Sequence, residues 1–74
     1  MEFENNYEGL KKWINLYGTN GINCYDKELG IELDFSLYVL EELNILKVKF
    51  INDYNSCEII IDGTPKITYI LELI

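Results

Sequence analysis

A change of apolar spacing near residue 45 constrains the fold of this chain more than any other feature. Upstream, apolar residues recur with helical spacing; downstream, they alternate. Leu10, Trp13, Ile14 and Tyr17 fall at i, i+3, i+4 and i+7, and Phe3 and Tyr7 extend that face toward the N-terminus. The pattern predicts a first helix over residues 6–17, capped by Asn5 or Asn6 and stopped by Gly18. Gly9 inside it costs about 1 kcal/mol relative to alanine. Residues 18–21, GTNG, read as a loop. A second, short helix is expected over 24–29, with Asn23 as its N-cap, Asp26 beside its positive end and Gly30 as its stop. Asp34 is placed to cap a third helix over 35–43, with Leu33 and Tyr38 as a hydrophobic staple and Asn44 as its end.

Three strands are expected in the remainder. Leu46, Val48 and Phe50 alternate with Lys47 and Lys49 in 46–52. Residues 57–62, CEIIID, are β-branched and apolar on both faces, which suits a central strand. After a turn containing Gly63 and Pro65, residues 66–73 form the last strand. The fold class expected is α+β: a single domain over 1–74, with three short helices followed by a three-stranded antiparallel meander. A domain of 74 residues buries only about 60% of its unfolded surface, so a partner would add useful stability.

Residues 26–46, DKELGIELDFSLYVLEELNIL, resemble the helix-turn-helix of winged-helix proteins. Leu29, Gly30 and Ile31 match the turn, Leu40 and Leu43 match the end of the longer helix, and 46–62 match the wing. The sequence departs from that pattern in two places. Only GTNGI stands where the family has its first strand, and the strand at 66–73 is additional. The resemblance implies a winged-helix-like fold whose third helix carries the interaction surface. The positions matching the DNA-reading face are Asp34, Phe35, Leu37, Tyr38 and Glu41. Between Glu28 and Leu46 lie five acids and no base, a surface that repels phosphate.

Charge points the same way. Thirteen acids face six bases, all of them lysine, for a net charge of −7 with no Arg and no His. Nucleic-acid binders neutralise phosphates with cations and read bases with arginine. Direct nucleic-acid binding and anionic membrane surfaces are therefore disfavoured, and a basic protein partner is favoured. The leading expectation is a small acidic protein-binding domain that inhibits or modulates a basic, nucleic-acid-binding protein, sharing size and charge with DNA mimics of phages and other mobile elements. Its binding surface is expected at Asp34, Leu37, Tyr38, Glu41 and Glu42, with Val39, Leu40 and Leu43 turned inward. Should that helix be buried instead, the substitute is the outer face of 66–73, through Thr68, Ile70 and Glu72. Two rivals stand beside this expectation. One is a dimeric winged-helix transcriptional regulator binding DNA weakly through Lys47, Lys49 and Lys66. The other is an assembly subunit that associates, as a homodimer for instance, through a strand edge.

Catalytic signatures are missing from the sequence. Ser36, Ser56, Cys24 and Cys57 have no histidine to activate them, and Glu41 and Glu42 diverge on a helix. The spacing needed for a phosphate-binding loop does not occur. Asp26, Glu28, Glu32 and Asp34 echo a calcium loop, but its glycine is one place off and Leu37 occupies the closing position. Two cysteines without histidine do not make a closed zinc site. The expectation is a non-enzyme without metal or cofactor. The opening residues contain no apolar run of a signal peptide, and no stretch reaches membrane-spanning length. A cytoplasmic protein with two free, buried thiols follows, and Trp13 is assigned to the core.

Overall fold

The computed structural model describes residues 2–33 and 42–74. Helix α1 (Tyr7–Tyr17) forms as its spacing predicts. The Asn6 side chain accepts the Gly9 N–H at 2.9 Å, and Gly18, at φ 73°, closes the helix by donating its N–H to the Ile14 carbonyl at 2.7 Å. Leu10, Trp13 and Ile14 are fully buried. Gly9 has a positive reason to be there. A Cβ at this position would run into the backbone carbonyl of Glu4, where the N-terminal segment folds back on the helix.

After a 3₁₀ turn (Thr19–Gly21) the chain enters an antiparallel sheet of β1 (Ile22–Asp26), β2 (Glu32–Leu33), β3 (Ile45–Ile51), β4 (Ser56–Ile61) and β5 (Ile67–Leu73). The strand order is β2-β1-β5-β4-β3, so the last strand lies in the middle. The three strands expected from the alternating half of the chain are present as a meander, and β4 is flanked on both sides.

The expected fold class is corrected by β1. The segment expected as a second helix, 24–29, is instead the second half of β1 and a turn. Ile22, Cys24 and Asp26 alternate inward, and β1 pairs with β5 over five residues, from Ile22↔Leu73 to Asp26↔Tyr69. That long-range ladder satisfies the backbone groups that a local helix would otherwise have paired. The turn at Leu29, Gly30 and Ile31 therefore follows a strand, and the expected order of three helices followed by a three-stranded meander does not form. The expected third helix at 35–43 falls largely outside the described residues.

One face of the sheet carries the core. Its central row runs Cys24–Leu71–Cys57–Phe50, with Ile22, Val48, Ile59 and Ile61 beside it under α1. Full burial of side chains such as Trp13, Leu10, Ile59 and Leu71 stabilises the fold by about 1.5–3 kcal/mol each. Cys24 and Cys57 are both buried and free. Leu71 stands between them in register, which separates their Cα atoms by two strand spacings, about 9–10 Å. That exceeds the reach of a disulfide. In β3 the alternation slips: a bulge between Ile45 and Lys47 puts Ile45 opposite Ile61 and leaves Leu46 half exposed, not inward as its spacing suggests. No described helix is long and apolar enough to cross a membrane.

Candidate functional site

Of the residues expected to bind a partner, Asp34, Leu37, Tyr38 and Glu41 lie outside the described residues. Glu42 is exposed, just before β3. The substitute set occurs on one surface: Thr68, Ile70 and Glu72 share the open face of the sheet with Tyr25, Glu58, Lys47 and Lys49. That face is largely self-satisfied. The Tyr25 hydroxyl donates to Glu72 at 3.1 Å, Asn23 donates to Glu32 at 3.1 Å, and Lys27 pairs with Glu58 at 3.0 Å. Desolvation, and then the bond to Glu72, push the Tyr25 phenol above its ordinary range. Ile70 is buried there and not free to bind.

The surface least reconciled with a solitary domain is the β1–β2 hairpin. Asp26 builds it. Its side-chain oxygen accepts the N–H groups of Glu28 and Leu29 at 2.8 and 2.9 Å, and its own backbone bonds Gly30 and Ile31. Gly30 takes the left-handed conformation, φ 67°, that the reversal requires. Asp26 is thus a turn organiser, with one carboxylate oxygen engaged by the N–H groups of the turn. The tip pushes Leu29 and Ile31 into solvent, 70% and 54% exposed, between exposed Glu28 and Glu32. The neighbouring base, Lys27, is engaged by Glu58, so the tip remains acidic. Sequence reasoning missed these two residues because it placed them at a helix end. The available signal was the run ELGIEL, apolar and acidic residues alternating about a glycine.

At the opposite end of the sheet, Asn52, Asp53 and Tyr54 connect β3 to β4 with three consecutive left-handed residues, φ 54°, 54° and 66°. The Trp13 indole N–H donates to the Tyr54 carbonyl at 2.8 Å, and the Tyr54 ring packs against Phe3 and Phe50. The two thiols offer no accessible chemistry. Burial pushes Cys24 up to about 11 and Cys57 up to about 12. Lys47, Lys49 and Lys66 are exposed, the first two on edge strand β3 and the third in the β4–β5 turn, where Thr64–Pro65 is cis. No protein-family model matches the chain, and no curated protein or solved structure matches it.

Proposed function

We propose that this is a small acidic protein-binding domain that inhibits or modulates a basic, nucleic-acid-binding protein, and that the β1–β2 hairpin makes the contact. The observation that carries the reading is the exposed pair Leu29 and Ile31, held out by the Asp26 turn between Glu28 and Glu32. Apolar anchors inside a charged rim match the anatomy of protein interfaces. A net charge of −7 steers a basic partner toward the tip and keeps nucleic acid away.

Affinity capture from a lysate of the native host tests the proposal, with a Leu29→Ser/Ile31→Ser variant as the second bait. Both positions are exposed, so the variant keeps its stability to within about 0.5 kcal/mol. A basic protein retained by the wild type and reduced about tenfold or more on the variant supports the reading. Equal retention by both baits overturns it. In parallel, the purified domain should give no gel shift with duplex DNA at about 0.1 M salt. A salt-sensitive shift would favour the DNA-binding alternative through the lysines.

A further inference from the structure

The β3–β4 turn borders a surface depression lined by Phe3, Asn5, Phe50, Ile51, Asn52, Asp53 and Tyr54. Three of these residues are aromatic, and each ring meets the other two, with centroids 5.4–5.6 Å apart. Asn5, Asn52 and Asp53 carry amide or carboxylate oxygens. Among the described residues the Asp53 carboxylate and the Asn52 amide make no hydrogen bond or ion pair, while Asn5 Oδ1 accepts the Phe50 N–H at 3.1 Å. The backbone that brings acid and rings together is unusual. Three successive non-glycine residues are left-handed, and one of them is a tyrosine, a residue type that rarely adopts this conformation. The Trp13 indole holds the arrangement from the core side through the Tyr54 carbonyl. Such conformations persist where surrounding structure enforces them, and they concentrate at binding sites.

We propose that this depression receives an arginine side chain of the basic partner. The inference rests on the reading above in taking a basic partner, but it uses a second surface at the other end of the sheet. A free carboxylate beside aromatic rings fits a planar cation that stacks on a ring while its N–H fork meets the carboxylate and the neighbouring amide oxygens. A lysine ammonium is more strongly hydrated and presents no plane to stack. The chain has no arginine of its own to occupy the place.

Titration of the full chain with a blocked oligoarginine peptide, against oligolysine of equal length, tests the assignment. Affinities are read by calorimetry and the location by amide NMR shifts. Asp53→Asn removes the charge while keeping a residue that tolerates left-handed backbone. Asp62→Asn, an exposed acid at the far end of β4, is the control. Oligoarginine should bind several-fold tighter than oligolysine, with shifts concentrated at 52–54 and on the Trp13 indole. Asp53→Asn should lose about tenfold, and Asp62→Asn less than about twofold. Equal binding of the two peptides, or equal losses in the two variants, would mean diffuse charge attraction and would overturn the site. The Leu29→Ser/Ile31→Ser variant should bind oligoarginine like the wild type. Capture at the hairpin can thus fail while the arginine site stands, and the reverse holds.

Discussion

The chain reverses direction tightly at both ends of its sheet, by two different means. At Lys27–Gly30 the turn is written locally: an aspartate four residues before a glycine supplies the acceptor, and the glycine supplies the left-handed backbone. At Asn52–Tyr54 no glycine is present, and three side-chain-bearing residues are held left-handed by groups distant in sequence, chiefly Trp13, 41 residues away. The first turn is organised mainly by its own residues, with Lys27 also tied across the sheet to Thr68 and Glu58. The second needs the finished core. Both display candidate contact groups, apolar at the hairpin tip and acid-aromatic at the β3–β4 turn.

Breaking the enforced turn should have the largest effect. Trp13→Phe removes the indole donor, strands the Tyr54 carbonyl and opens space in the aromatic cluster. A loss of about 2–4 kcal/mol is expected, measured by urea unfolding followed by circular dichroism. A loss below 1 kcal/mol would mean that the turn stands without its tertiary support. Next comes the local turn. Asp26→Ala should cost about 1–3 kcal/mol, because two N–H groups lose one buried acceptor. Asp26→Asn keeps an acceptor oxygen and should recover most of that. If the asparagine variant is as unstable as alanine, charge rather than hydrogen bonding holds the hairpin. The smallest effect sharpens the contrast between the turns. Asn52→Gly should be neutral to slightly stabilising, and Asn52→Ala should fall below it by about 1 kcal/mol in thermal or urea unfolding. Equal stabilities for the two would indicate that the left-handed backbone there carries no strain.

The same division between local and distant causes explains what could be read from the sequence. Asn6, Gly18 and the Leu10–Trp13–Ile14 stripe lie within a few turns of one another, and α1 follows their signals almost to the residue. The last three strands are legible because each alternates or is β-branched along its own length, although the bulge at Leu46 is not. β1 fails that test. It offers only Ile22 and Cys24 as apolar inward positions, its third is the buried Asp26, and the following DKELG carries the same cap and stop residues that end helices. Its strand state is conferred by β5, more than forty residues away. As for the sites, the hairpin tip follows from that misassigned helix end. Asp53 gave no signal of its own, since the rings that give it meaning come from residues 3, 50 and 54.

The central place of β5 has a consequence for how the chain reaches its native state. Of the described strands it is made last, yet it separates β1 from β4. The β3–β4 hairpin can zip from local contacts alone, whereas β1 must wait through the synthesis of more than forty further residues for its main partner. Until then β1 and β4 each present an unpaired edge flanked by apolar side chains, the features that promote misassembly during translation. Mutual repulsion between chains of net charge −7 keeps those half-built sheets apart at just that stage.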